Sequence, residues 1–430
     1  MTSNLEPSPS LAALDTATAP PPSGQLEPVR LSWLHPIGLT ELSVYNFVVR
    51  ILTLGIYHFW GKTEVRRRIW SATRLNGEPL EYTGTGAELF KGFLVIFGVI
   101  VVPTMIVTLG AAVLLGPQSA AFRGFQVLLY AGFLFLTGIA IYRAQRFRLS
   151  RTRWRGIRAG LAGSSLAYGW THFWTLLTLP LTLGWSAPWR STKLQRIITN
   201  DMRFGTRAFT FSASSKPLYL TFAVYWLLMT LLAVLVTSVI VGSTTALVLG
   251  GQQADGKFAP PDPGKMAALI VIVYGLLFLA GLVYMMLSAW YRATMTRHFA
   301  AHTHLDGLAF ESRVTGRGLL WISVSNYLIL VLGATIVTLL LTALALLAWQ
   351  SFGTGMVDPR RSAAIVTGLG FVFLLSMGML LPVTQARTTG YMMRNLVLAG
   401  GLDMASIAAG AEPAGTRGEG LAQAFDIDAL

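Results

Sequence analysis

The sequence predicts an α-helical polytopic membrane protein with internal repeats: six full transmembrane helices, two short re-entrant or interfacial segments, and small cytosolic β-elements. Three observations carry that reading. First, the 430 residues are 53% apolar and only 12% charged, against a charged share of about 25% in soluble domains. Apolar runs of about twenty residues then mean helices in a bilayer. Second, a set of residues recurs at constant offsets. Leu52-Thr53-Leu54-Gly55, Trp60, Arg67-Arg68-Ile69 and Leu89 are answered 129 positions later by Thr182-Leu183-Gly184, Trp189, Arg196-Ile197-Ile198 and Leu218. Gly77, Leu80, Thr85-Gly86 and Leu89 are answered 230 positions later by Gly307, Phe310, Thr315-Gly316 and Leu319. Matched types at fixed offsets point to internal duplication. Third, the net charge of +14 comes almost entirely from the loops.

Residues 1–29 are rich in Pro, Ser and Ala, lack the basic and apolar regions of a signal peptide, and read as a disordered tail. The integral domain runs over 30–405. Its apolar segments lie near 40–60, 92–116, 125–142, 170–189, 218–249, 266–291, 319–349 and 363–385. Six are long enough to span and free of charge at their centres. The exceptions are 40–60, which holds Arg50, and 170–189, which holds His172, Pro180 and Pro188. Both carry the Leu-Thr-Leu-Gly signature late in the segment, so both read as broken. Between the segments lie basic modules near 61–91, 143–169, 190–217, 292–318 and 384–405. Most open with a basic helical stretch such as Lys62 to Trp70, turn at a glycine (Gly77, Gly205, Gly307), and end in a short alternating stretch. Alternation with β-branched and aromatic residues predicts strands near 79–83, 208–212 and 308–313, at least two of them paired with each other. In the module after Arg158, the strand candidate is Leu166-Ala167-Tyr168. Leu31 to His35 reads as a truncated first copy. Residues 406–430 read as a second disordered tail.

Counting Lys and Arg sets the topology. If the two broken segments do not cross, the five modules, the last counted on to residue 430, put 26 cationic residues on one side against five in the short links. If all eight segments cross, the asymmetry nearly vanishes. The first arrangement satisfies the positive-inside rule, with both termini cytosolic. No nucleic-acid motif accompanies the basic residues, so the charge points to anionic lipid rather than nucleic acid.

Chemistry-bearing patterns are few. The chain has no Cys, which removes disulfides, thiolate metal sites and Cys nucleophiles. His298, His302 and His304 form the best metal-like cluster, with the first two one helical turn apart; the position 230 before His298 is Arg68, so the cluster reads better as basic positions filled by His. Thr83-Gly84-Thr85-Gly86 lacks the Lys and spacing of a phosphate loop and reads as a strand-to-helix turn. No Gly-x-Ser-x-Gly elbow occurs. All nineteen Asp and Glu lie outside the six long segments, which argues against proton relays. The expectation is therefore no catalytic residues and no cofactor. The lipid- or partner-binding residues expected are Arg66, Arg67 and Arg68, then Arg148, Arg151, Arg155 and Arg158, with Trp154 at the membrane interface.

Leu52 to Lys62, the Arg66-Arg67-Arg68 run, Leu80 to Phe90 and Arg148 to Arg158 resemble the YjgN-like family of bacterial inner-membrane proteins over roughly residues 30 to 405. The last copy departs, with Val383 after Leu381-Pro382. The resemblance implies a polytopic protein of the bacterial inner membrane. It carries no catalytic residues over. It also implies a membrane metallopeptidase as partner, because such a protease often accompanies the family. The leading function is a non-enzymatic scaffold that binds anionic lipid or a partner. The alternative is a transporter or pore using the two Leu-Thr-Leu-Gly segments; a polar cavity between them would favour it.

Overall fold

The computed structural model describes residues 27–250, 262–352, 359–404 and 407. Six stretches are helical, long and apolar enough to cross a membrane: Gly86–Leu115, Ala120–Ser150, Lys216–Leu247, Pro263–Ala301, Gly316–Leu344 and Thr367–Arg394. The first joins α3 (Gly86–Ile96) to α4 (Val102–Leu115) through a π-helical turn at Phe97–Val101. The next four are α5 (Ala120–Ser150), α8 (Lys216–Gly250), α9 (Pro263–Ala301) and α10 (Gly316–Phe352). The sixth is interrupted, as α11 (Pro359–Met377) and α12 (Leu381–Arg394). Segment 40–60 falls in α1 (Leu39–Leu52) and α2 (His58–Ala72), and segment 170–189 in α6 (Ser165–Leu181) and α7 (Ala187–Asp201).

Each helix pair is followed by a β-hairpin or strand. The strands are β1 (Glu27–Pro28), β2 (Leu31–Trp33), β3 (Thr73–Leu75), β4 (Glu78–Pro79), β5 (Glu81–Tyr82), β6 (Thr152–Trp154), β7 (Ile157–Leu161), β8 (Met202–Phe204), β9 (Arg207–Phe211), β10 (Thr303–Leu305), β11 (Leu308–Ser312) and β12 (Leu396–Leu402). All pair antiparallel, in the orders β1-β12-β11-β10-β9-β8-β7-β6-β5 and β2-β3-β4. The two ladders share chain runs, because β1 and β2 lie in 27–33 and β4 and β5 in 78–82. Hydrogen bonds from Asn76 N to Arg30 O (2.8 Å) and from Leu80 N to Thr73 O (2.9 Å) bridge the gaps. The strands therefore close into a ring of ten runs, a shallow meander barrel. Closure removes the open edges that would invite aggregation.

The two rims differ. One carries only two-residue turns, at 76–77, 155–156, 205–206 and 306–307, plus the start of β1 and the end of β12. Asn76 and Gly77 both have positive φ (51° and 83°), as do Arg155 and Gly156 (50° and 75°), the backbone that matches strand twist in a tight hairpin. The other rim carries the five helix pairs. Neighbouring pairs touch around the circle: α2 on α3, α5 on α6, α7 on α8, α9 on α10, and α12 on α1. The chain thus returns to the same rim after every pair.

One hydrogen bond recurs. Arg67 donates to Gly84 O (3.0 Å), Arg196 to Ala213 O (2.6 Å), Arg297 to Val314 O (2.7 Å), and Arg146 to Gly163 O. The separation is 17 residues each time, and each bond ties a helix descending to the barrel to the chain leaving the next strand. Close approaches recur as well. A Cβ on Gly86 would lie 2.7 Å from Trp60 Cα, and one on Gly316 would lie 3.0 Å from Trp290 Cα, the same contact 230 positions on. Between α5 and α6, a Cβ on Gly169 would lie 2.5 Å from Ile139 Cγ1, so small residues set this helix spacing.

Several expectations need correction. Strands do form near 79–83, 208–212 and 308–313, but none pairs with another: β10 separates β9 from β11, and β5 pairs with β6. Leu166-Ala167-Tyr168 is helix, because Ser164 caps α6 by accepting from Ala167 N (3.3 Å); the strands of that module are β6 and β7. Residues 27–29 belong to the barrel rather than to a tail, with Val29 buried. Ile407 is buried too. The rest of both expected tails lies outside the described residues, apart from Glu27 to Val29 and Ile407.

Candidate functional site

The helix breaks carry the site. In the first, Leu54 and Gly55 take φ of 52° and 91°; in the second, Leu183 and Gly184 take 49° and 83°. Gly55 N bonds Arg50 O and Gly184 N bonds Leu179 O, both at 2.7 Å. Thr53 Oγ1 accepts from Tyr57 N and Thr182 Oγ1 from Ser186 N, both at 3.1 Å. A glycine past the helix end, in the left-handed region, closes off the last carbonyls. The Leu-Thr-Leu-Gly signature is thus a helix stop followed at once by a helix start. The third break, at 378–380, is built differently: Gly378 N bonds Leu375 O (3.1 Å) and Met379 N bonds Ser376 O (3.0 Å).

A cavity of about 180 Å³ lies between the first and third breaks. Its walls include Asn46, Arg50, His58 and Lys62 from α1 and α2, and Met379, Pro382 and Gln385 from the third break and α12. No Asp or Glu is among its described lining residues. The Arg50 guanidinium lies over the Phe47 ring at 5.8 Å, and its Nη2 is 3.3 Å from where a Cβ on Gly378 would stand. Two helix N-termini, those of α2 and α12, border the cavity. Neither has an acid in its first turn, although at α2 the break already takes Tyr57 N on Thr53 Oγ1 (3.1 Å) and His58 N on Gly55 O (3.0 Å). Helix N-termini favour anions, and the carbonyls ending α1 are occupied by the break itself. Cations and helix starts therefore act in the same direction, and the arrangement can hold an anionic group. The polar cavity does not lie between the first two breaks, where transport would have placed it. At the second break, Arg190 Nη2 meets His172 Nε2 at 3.0 Å. Burial, then the Arg190 charge, push the His172 pKa down to about 4.

Most of the cationic residues expected to bind lipid make contacts within the fold. Arg66 is 7% exposed and donates to Tyr82 OH (3.0 Å). Arg67 holds Gly84 O, and Arg68 donates to Gly38 O (2.5 Å) and Ile37 O (3.1 Å). Arg148 donates to Gln145 Oε1 (2.8 Å). Arg151 pairs with Glu88 at 2.8 Å, and Arg155 with both Glu27 and Glu78 at 2.8 Å. The acids that pair with this module, Glu27, Glu78 and Glu88, come from other parts of the chain. Arg158 stands opposite Arg153 on β6 and β7. Burial first, then Arg153 and Arg151, lower its pKa. Trp154 is not interfacial: it is 2% exposed and lines the barrel interior, because it alternates with Arg153.

His298 Nε2 meets Ser214 O (2.7 Å), and His302 Nδ1 meets His298 O (2.8 Å); His304 lies in β10. Among the described residues, no three His, Asp or Glu are grouped to hold a metal ion. The pocket residues Arg50, His58 and Lys62 escaped the sequence reading as a group. Arg50 alone was visible, as the charge inside an apolar segment.

Comparison with known proteins fits this architecture. The chain is 33% identical over 69 residues to the inner membrane protein YjgN of Salmonella typhimurium, a match covering 16% of this chain and 18% of that protein. No solved structure matches. Residues 38–424 match the family described as bacterial protein of unknown function (DUF898), and the chain belongs to that YjgN-like family of polytopic membrane proteins.

Proposed function

We propose that this protein is a non-enzymatic protein of the bacterial inner membrane that binds an anionic lipid headgroup in the pocket at Arg50, His58 and Lys62. The observation that carries the reading is the pocket itself: three basic side chains and two helix starts with no acid in the first turn, with no carboxylate on its described walls. The inner-membrane setting follows the similarity to YjgN. In this reading the barrel side faces the cytosol, because its modules hold 25 of the 33 Lys and Arg. The α1–α2 and α6–α7 pairs dip into the membrane and come back. At about 26 Å, the 17-residue α6 falls short of the ~30 Å hydrocarbon core. The equal offsets and the recurring 17-residue arginine bond support one duplicated unit.

Arg50→Gln tests the function. The variant is reconstituted beside the wild type in nanodiscs of mixed zwitterionic and anionic lipid, and retained lipid is identified by mass spectrometry after mild delipidation. Loss of one charge-assisted bond of about 1.5–3 kcal/mol predicts a roughly tenfold or greater fall in retained anionic lipid. Equal retention would overturn the proposal. The second reading, a transporter, draws support from the matching geometry of the two Leu-Thr-Leu-Gly breaks. Protein-dependent flux of an anionic solute into liposomes, abolished by Arg50→Gln, would favour it.

A further inference from the structure

We propose that the interior of the barrel is a second binding site, which takes the end of a hydrocarbon chain entering from the membrane side. The cavity there is about 180 Å³, somewhat larger than the ~150 Å³ apolar cavities that stay dry and accept a benzene-sized guest. All ten strand runs contribute to its wall, with Val29, Leu75 and Leu80 from the first three, Ala159 on β7, Phe209 on β9 and Leu398 on β12 among the lining residues. Their backbone N–H and C=O groups are engaged in the ladders, so the wall offers a guest little but apolar surface. Of the polar atoms on the wall, Thr152 Oγ1 is already satisfied, accepting from Trp70 Nε1 (2.8 Å) and donating to Arg148 O (2.9 Å), whereas Trp154 Nε1 is buried without a hydrogen-bond partner. Arg153 and Arg203 border the cavity but alternate with the inward Trp154 and Phe204, so their charges belong to the outer face.

The two ends of the cavity are unequal, and this fixes the class of guest. At the turn rim, Ile407 is 5% exposed and packs with Val29, Leu305, Leu308 and Leu402, and Met404 joins the same cluster. That mouth is stoppered against water. At the helix rim the wall continues onto Leu149, in the last turn of the long helix α5. A solute therefore reaches the barrel through the helix ring, where the abundant apolar solute is a lipid chain. Burying each methylene contributes about 0.8 kcal/mol, so even a few carbons of a chain end give measurable occupancy.

The test uses the full chain in nanodiscs and palmitic acid fluorinated at its terminal methyl. The label is supplied either as the free acid or as an acyl chain of phosphatidylcholine. Fluorine NMR reads the environment of the chain end. The expected result is a resonance distinct from that of the bilayer. Its presence with the free acid alone identifies a fatty acid as guest; its presence in both arms identifies a lipid acyl chain as well. Ala159→Leu fills the cavity from β7 and should reduce the resonance about tenfold while far-UV circular dichroism and elution volume stay unchanged. Leu398→Phe fills it from β12 and serves where the first variant folds poorly. Arg50→Gln should leave the resonance in place, which separates this site from the headgroup pocket. Absence of a distinct resonance in both arms, or its full persistence in a well-folded filled variant, overturns the proposal.

Discussion

Arg146 offers the sharpest test of what holds the helices to the barrel. Its Nε donates to Leu161 O at 2.9 Å and its Nη2 to Gly163 O, while the guanidinium lies over the Tyr142 ring at 5.3 Å. Arg146→Met keeps much of the stem and removes both bonds. Charge-assisted hydrogen bonds contribute about 1.5–3 kcal/mol each. The side chain is only half-buried, so the lower end applies, and a combined loss of about 3 kcal/mol is expected. If these bonds form late in folding, nearly all of that falls on the unfolding rate, which rises roughly 150-fold. The assay is the half-life of trypsin resistance of the reconstituted protein at elevated temperature. Arg146→Lys keeps one donor and should fall between. Arg207→Met is the surface comparison, since Arg207 meets Asp306 at 3.5 Å with both side chains about 40% exposed, a pair worth about 0.2–1 kcal/mol. Equal half-lives for Arg146→Met and Arg207→Met would refute the staple.

Single cysteines in this Cys-free chain test topology: Thr206→Cys and Asp306→Cys should resist an impermeant thiol reagent in intact cells, whereas Gln118→Cys should react. Labelling at 206 without labelling at 118 would reverse the orientation; labelling that differs between 206 and 306 is incompatible with one barrel. Gly169→Leu should cost about 1–3 kcal/mol through overpacking against Ile139, read as a shortened half-life in the same trypsin assay, and an unchanged half-life would mean that α5 and α6 are not tightly packed. His172 gives a pH dependence. Its folded pKa of about 4 lies below the ordinary 6.5, so the unfolded chain binds the proton first. Stability is full above pH 6.5 and falls as pH drops toward 4, by up to about 3 kcal/mol. His172→Gln can still accept from Arg190 and should flatten that limb; an unaltered pH profile would remove His172 as its cause.

Much of the helical layer was legible because apolar length and Lys/Arg placement are strong, local signals. The Leu-Thr-Leu-Gly breaks were legible too, since glycine in the left-handed region leaves a sequence mark. So was the start of α3, where Thr85 and Glu88 form a reciprocal cap. The barrel was not. Alternation marked β9 and β11, but the strands run only two to seven residues, too short to fix their partners, and ring closure depends on contacts such as Glu27 with Leu402, far apart in sequence. The hairpin at Arg155-Gly156 hid because arginine is an uncommon left-handed residue. The arginine staple was present in the text as four Arg residues, each 17 before a strand exit. Without the carbonyl partners its shared role was invisible, and only Arg67 of the four stood among the residues expected to bind lipid.

The staple bears on where function resides. Arg67, Arg146, Arg196 and Arg297, each 17 residues before the carbonyl it binds, hold helix to barrel. The positions where the copies differ are those that line the pocket. Arg50, His58 and Lys62 in the first break correspond, 129 residues on, to Leu179, Ala187 and Ser191, and the second break uses Arg190 with His172 instead. The backbone of the two breaks is nearly the same, so the pocket's charge owes nothing to the scaffold and everything to these substitutions. A fold requirement would have kept the two breaks alike in side chain as well as in backbone. Moving the three basic residues to the second break, as Leu179→Arg, Ala187→His and Ser191→Lys, should not build a second anion site, because the third break, with Gly378 and the uncapped start of α12, faces only the first. If the transplanted variant retains about twice the anionic lipid of the wild type, side chains alone suffice, and the contribution assigned to α12 is wrong.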